Sequence, residues 1–347
     1  MHQPPTWGWI AAAILGLGSL TVGGVGCGQT RPSQEVPPQD TPPPLTIVTT
    51  FLPMTQFTQA VAGDLATVVP LLPPNIDPHD FQARPEDVQT LANAQVLVKN
   101  GLQLETFLDG LIASANNPTL RIIDSSVGVT PILNPETAAS DLDDDDHGHG
   151  HGGHEHEHGK TTAPTHDHSH DHGPENPHIW LDPKRAQQQV NAIRDGLIQA
   201  DPAGAATYTA NARAYVEQLQ TLDQEITTML APYQGKTFVT YHDAAPYFAE
   251  SYGLQATFLV GVPSQNPSPA DVRRVIQAVQ ASDLKALMTE PGSSEAFTTL
   301  ANDLGVRVSH FDALETTDRD PVPPDHYLTV MRQNAESLRL AFTPPEE

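Results

Sequence analysis

The 347-residue chain has little positive charge, a single cysteine and few aromatic residues. Lys and Arg number 17 against 42 Asp and Glu, giving a formal net charge of -25 at pH 7. Such a surface repels nucleic acid and anionic lipid and attracts cations, which sets nucleic-acid binding aside. With one cysteine, Cys27, an internal disulfide is excluded. The apolar stretch Ile10 to Leu20 is too short to span a bilayer stably and suits the h-region of an export signal. Apolar residues make up only 38% of the chain. The deficit sits in two places, the Pro-rich Gln29–Pro44 and the His/Asp/Gly-rich Asp141–Pro174, and the remainder has a globular composition.

Residues 1–27 therefore read as a signal peptide ending at Cys27. A lone cysteine behind such a region resembles the bacterial lipoprotein signal, in which the cysteine is lipidated. The absence of Lys or Arg from MHQPPTWGW and the Gly24-Val25-Gly26 preceding the cysteine keep a plain secretory peptide as the alternative. Residues 28–44 read as an extended tether with nothing to bury. From Leu45 onward, short β-branched runs alternate with apolar residues at helical spacing. Strands are predicted over Leu45–Thr50, Thr67–Leu71, Gln95–Lys99 and Leu120–Asp124, and helices over Met54–Ala62, Pro85–Ala94 and Glu105–Ala115. The second half repeats the theme. Its strands are predicted at Thr237–Thr240, Gln255–Leu259, Ala286–Thr289 and Arg307–Ser309, and its helices at Ala244–Tyr252, Pro269–Ser282, Ser294–Leu304 and Asp325–Phe342. Between the halves, Pro202 to Leu230 forms one helical pattern roughly 40 Å long. The expected fold is α/β: two lobes (45–200 and 233–347), each a mostly parallel sheet flanked by helices, joined by a long helix within 201–232.

Histidine is unevenly placed. Eleven of its 16 copies fall between His147 and Pro183. His147, His149, His151, His154, His156, His158, His166, His168, His170 and His172 alternate with Gly, Glu, Asp and Ser, with almost no apolar residue to fix a geometry. That stretch is expected to be a disordered loop binding several ions weakly. At about 34 residues its ends would lie roughly 30 Å apart, so its tip could reach a cleft between the lobes. His79 in PPNIDPHDF, His178 in NPHIWLDP and His242 in TFVTYHDAAPYF stand apart from it. His79 lies in a loop after a strand, His178 just before a helix, and His242 at a strand's carboxyl end, where open α/β sheets bind ligands. Three such histidines could converge between the lobes, and spacing alone does not decide whether they do.

The region Leu45–Phe342 resembles the cluster A-I, TroA-like metal-binding proteins of bacterial ABC transporters, and their zinc-uptake ZnuA branch most closely. DPHDFQARPEDVQTLANAQVLVKNGLQLETFLDGL is similar to the family's first ligand block, NPHIWLDP to the second and YHDAAPYFAESYGL to the third. HYLTVMRQNAESL resembles its closing helix. The resemblance implies metal ligation by His79, His178 and His242. The fourth ligand would be an acidic residue near the last strand, which falls at Asp312 in HFDAL, or water. After that Asp the family's usual Pro and Gly are replaced by Ala313 and Glu315. Three imidazoles with one oxygen donor suit tetrahedral Zn²⁺ better than Mn²⁺, which favours more oxygen ligands. His310 reads as a strand-end residue or a neighbour of the site. Asp77 and Asp182 are candidates for orienting imidazoles, with the alternative that they cap turns or helices, as the Asp182-Pro183 pair suggests. Glu290 is expected to pair with Arg273 or Arg274.

The implied function is a monomeric extracytoplasmic zinc-binding protein, periplasmic or held at the outer face of the cytoplasmic membrane through Cys27. It would pass Zn²⁺ to an ABC permease and its ATPase. The His-rich loop would serve capture, sensing or delivery. Alternatives are a surface metal buffer or adhesin and, with three ligands plus water, a zinc hydrolase. The chain has no HExxH and no obvious base, so it is read as not an enzyme.

Overall fold

The computed structural model describes residues 44–134, 173–261, 267–282, 284–290 and 295–343. Cys27 and the histidines from His147 to His172 lie outside the described residues, as do the expected signal segment and nearly all of the tether.

The first half builds a sheet from β1 (Leu45–Thr49), β2 (Ala66–Pro70), β3 (Val96–Lys99) and β4 (Arg121–Asp124), in the order β2-β1-β3-β4. All of its pairings are parallel. A parallel sheet is covered on both faces, so its central strands are apolar without alternation; Val96, Leu97 and Val98 in β3 are all fully buried. The crossovers are α1 (Leu52–Ala62), α2 (Pro85–Ala92) and α3 (Leu108–Ala115). The helix expected from Glu105 starts only at Leu108. The Glu105 carboxylate turns inward instead, accepting the Thr50 hydroxyl (2.8 Å) and the backbone N–H groups of Asn100 (2.7 Å) and Gly101 (3.2 Å). That holds residues 102–107 as turns.

Helix α4 (Pro183–Ala200) follows, and then α5 (Ala205–Leu230), 26 residues long and preceded by a short 3-10 turn at Pro202–Gly204. Tyr208, Ala212, Tyr215, Leu219, Leu222, Ile226 and Leu230 form the buried stripe of α5, spaced three or four residues apart as an amphipathic helix requires. The second sheet repeats the first in strand order: β6-β5-β7-β8, all parallel, from β5 (Thr237–His242), β6 (Gln255–Val260), β7 (Ala286–Thr289) and β8 (Arg307–His310). Its helices are α6 (Pro246–Ser251), α7 (Pro269–Ser282) and α8 (Glu295–Asp303). The last helix, α9 (His326–Phe342), returns to pack on α5, which also contacts α1 and α4.

One apolar core runs through both halves, from Ile47 and Val98 through Trp180 and Leu222 to Phe311 and Tyr327. Trp180 is its pin. The indole is fully buried, meets Phe51 edge-on at 4.8 Å, and donates its Nε1–H to the Ala313 carbonyl at 2.8 Å. The Tyr327 hydroxyl donates in turn to the Trp180 carbonyl (2.6 Å). The segment just after His178 is thereby fixed against the loop that follows β8.

Candidate metal centre

Each of the three singled-out histidines reaches the same point. His79 belongs to the Pro-rich loop after β2, anchored by buried Leu71 and Leu72 and tied to the other half where Thr317 donates its N–H to the Pro74 carbonyl (2.6 Å). His178 stands just before a single 3-10 turn, Ile179–Leu181, that leads into α4. His242 is the last residue of β5. Their ligand atoms and a carboxylate oxygen of Glu315 all lie within 4.8 Å of one another. The Glu315 Oε1 is 2.7 Å from His79 Nε2 and 3.2 Å from His178 Nε2; its Oε2 is 3.5 Å from His242 Nε2. The Nε2 atoms of His178 and His242 are 3.2 Å apart. Four donors about 2.1 Å from a central ion in tetrahedral array stand about 3.4 Å from one another. The separations of 2.7, 3.2, 3.2 and 3.5 Å lie on either side of that spacing, and the whole donor set falls within 4.8 Å.

The outward-facing nitrogens show how two of the rings are held. His178 Nδ1 is 2.9 Å from the Asn176 Oδ1, and His242 Nδ1 is 2.6 Å from the Glu290 Oε2. With Nδ1–H donating outward, a neutral ring points its Nε2 lone pair at the metal position. Glu290 follows β7 directly, so neighbouring strand ends supply ligand and orienting carboxylate.

Charge is concentrated here. Burial opposes protonation of His79, but the Glu315 and Asp77 carboxylates overcome it and raise its pKa above the usual 6.5. His242 is likewise disfavoured as a cation by burial, yet Glu290 and Glu315 push it well above 6.5. At His178 burial, aided by the His242 and His79 charges, outweighs Glu315, and its pKa is pushed down to about 3. Glu315, despite burial, is held well below the usual carboxylate range by the His79 and His242 charges. These directions favour protons on His79 and His242 beside the Glu315 and Glu290 carboxylates when no metal is bound. A divalent cation replacing those two protons would keep the same charge balance.

The structure differs from the sequence reading at Asp312 and Glu290, and it selects among the readings given for Asp77, Asp182 and His310. Asp312 is not in the cluster: its Oδ1 accepts the Leu314 N–H at 2.7 Å, and its backbone is clamped on both sides by the Asn334 side chain at 2.8 Å. Burial, with Glu290 and Glu315 nearby, raises its pKa to about 6. The chain then turns through Leu314 in a left-handed conformation (φ 61), and it is Glu315, three residues on, that reaches the three histidines. Glu290 contacts His242, whereas Arg274 pairs with Asp271 (2.9 Å) and the Phe258 and Leu259 carbonyls. Asp77 accepts the backbone N–H of His79 (2.8 Å) and shapes the loop. Asp182 caps α4 by accepting the Lys184 N–H (3.0 Å) and binds Arg185 (2.8 Å), as the Asp-Pro pair indicated. His310 ends β8 with an exposed side chain, outside the group.

The sequence matches the family described as zinc-uptake complex component A, periplasmic (ZnuA), over residues 47–341. It is 31% identical over 298 residues to the zinc-binding lipoprotein AdcA of Streptococcus pneumoniae, covering 85% of this chain and 55% of that protein. The chain thus spans about half the length of the AdcA relatives it matches. Against the high-affinity zinc uptake system protein ZnuA of Bacillus subtilis it is 28% identical over 298 residues, with 85% and 86% of the two chains covered. Among solved structures, Zn(II)-bound AdcA from Streptococcus pneumoniae superposes with a TM-score of 0.66 at 27% identity, over 86% of this chain and 57% of that one. The isolated Zn(II)-bound ZnuA-like domain of the same protein gives 0.65 at 27% identity, over 86% and 98%. This chain belongs to the ZnuA family, the periplasmic component A of zinc-uptake complexes.

Proposed function

We propose that this protein captures Zn²⁺ outside the cytoplasm and delivers it to the membrane permease of an ABC-type uptake system, with His79, His178, His242 and Glu315 as the ligands. The convergence of those four donors, supplied by both halves of the chain, is the observation that carries the reading. Three imidazoles and one carboxylate fill a tetrahedral site without requiring water, the pattern of a holding site rather than a hydrolytic one. Among the described residues, Glu315 and Glu290 are the carboxylates that touch the imidazoles, and together they match the charge of a divalent ion. In this reading residues 1–27 direct export, Cys27 carries a lipid anchor, and residues 28–44 tether a folded body built of two lobes. The histidines from His147 to His172 form a separate set of weaker sites.

Zinc titration of the whole chain and of a variant lacking residues 141–172 tests this division. The expected result is one tight site in both, with additional weak sites only in the whole chain. Loss of the tight site together with the His-rich segment would sink the assignment.

A further inference from the structure

Asn176 stands two residues before His178 and is 2% exposed. It ends a short antiparallel stem in which Leu133 bridges Glu175, the Asn134 N–H donates to the Pro174 carbonyl (2.8 Å), and the Asn176 N–H donates to the Ile132 carbonyl (2.8 Å). All of its polar groups are engaged. Its Oδ1 accepts the His178 backbone N–H (3.0 Å) and faces His178 Nδ1 (2.9 Å). Its Nδ2 donates to the Asp243 carbonyl (2.8 Å), one residue beyond His242. Its own carbonyl accepts the Tyr247 hydroxyl (2.6 Å), whose oxygen also accepts the Ile132 N–H (2.9 Å).

The orientation of this amide is not a free choice. A backbone N–H can only donate and a carbonyl can only accept, so Oδ1 must face His178 and Nδ2 must face Asp243. His178 Nδ1 is thereby forced to be the donor, and its Nε2 keeps the lone pair that faces the metal position. The same side chain then holds the residue next to His242, a ligand from the other half.

We propose that Asn176 is a positioning residue that couples the two halves of the metal site, its amide oxygen fixing the His178 imidazole while its amide N–H₂ fixes the backbone beside His242. The inference rests on the reading of His79, His178, His242 and Glu315 as the zinc ligands. Asn176→Asp separates it from a simpler role. An aspartate of nearly the same shape keeps both contacts to His178 and adds negative charge near the metal, which by itself slows zinc release. It also loses the donor to Asp243 and sets two acceptor oxygens against each other. A residue acting only on His178 would therefore give slower release in Asn176→Asp, and a coupling residue gives faster release.

The experiment measures Zn²⁺ dissociation from the full chain by chelator competition, alongside the d–d spectrum of the Co²⁺-loaded protein and thermal unfolding of the metal-free form. Asn176→Asp is expected to release zinc about 10-fold faster or more, with a four-coordinate Co²⁺ spectrum and a folded metal-free state. Asn176→Ala, losing all three side-chain contacts, is expected to release it faster still and to alter the Co²⁺ spectrum. Release from Asn176→Asp at the wild-type rate or slower would overturn the coupling, and since this variant is nearly isosteric it decides the matter even if Asn176→Ala does not fold. His178→Ala and His242→Ala serve as reference. If either retains the tight site, the ligand assignment itself fails; if both lose it, the release rate of Asn176→Asp bears on the coupling alone.

Discussion

Replacing Glu290 by Gln separates the two roles that a carboxylate behind a metal-bound imidazole plays. Glu290 receives two donors from one residue, His242 Nδ1 at 2.6 Å and the His242 backbone N–H at 3.4 Å. A carboxylate can accept both; an amide has one acceptor oxygen and would turn its N–H₂ toward the other donor. The amide oxygen can keep only one of the two bonds, and the ring loses the charge that makes it a better ligand, which for partners of this kind costs 10–100-fold in metal affinity, or about 1.4–2.8 kcal/mol. A second effect has the opposite sign. Glu290 also stabilises the protonated His242 of the metal-free site, so its loss lowers that pKa and leaves zinc with less proton competition. The affinity deficit of Glu290→Gln should therefore be largest above the raised His242 pKa and shrink as the pH falls below it. Proton release on zinc binding at neutral pH should fall by up to about one. Calorimetry in buffers of different ionisation enthalpy reads both quantities. A deficit independent of pH, with unchanged proton release, would refute the reasoning.

For the unmodified protein, the raised pKa values of His79 and His242 mean that zinc displaces up to about two protons at neutral pH, whereas His178, already neutral, contributes none. Apparent affinity should rise by up to about two decades per pH unit from 6.5 through the raised values and level off above them; competition titrations across that range check it. Glu315→Gln should lose the tight site and Asp312→Asn should keep it within a few-fold, because Asp312 serves its own turn and Asn can still accept the Leu314 N–H; equilibrium dialysis of both variants decides. Trp180→Phe removes the Nε1–H bond to the Ala313 carbonyl and leaves a void in the shared core, so urea unfolding of the metal-free protein should show a loss of about 2–4 kcal/mol.

Much of this molecule could be read from its sequence because the relevant signals are local. β-branched runs set the strands, and the spacing from Tyr208 to Leu230 set the long helix. The motifs around His79, His178 and His242 marked three strand-end or loop positions that do converge. What was not legible depends on side-chain direction after a turn. At HFDALE two carboxylates stand three residues apart, and only the left-handed Leu314 and the clamp from Asn334, far away in sequence, decide that Asp312 caps its turn while Glu315 faces the histidines. Glu290 was hidden for a similar reason: basic side chains on a helix of the same half offered the obvious partners, whereas strand order places β7 beside β5 and so brings Glu290 to His242. Asn176 had a signal, its place in NPH, but the residues whose contacts give it meaning, His178 and Asp243, belong to different halves of the chain.

The ligand set is tested most directly by a crystal structure of the zinc-loaded chain with anomalous data collected at the zinc edge. One strong peak is expected about 2.0–2.1 Å from the Nε2 atoms of His79, His178 and His242 and about 2.0–2.2 Å from a Glu315 oxygen. A zinc bound through Asp312, or held by the histidines between His147 and His172 while these four donors stay metal-free, would contradict it.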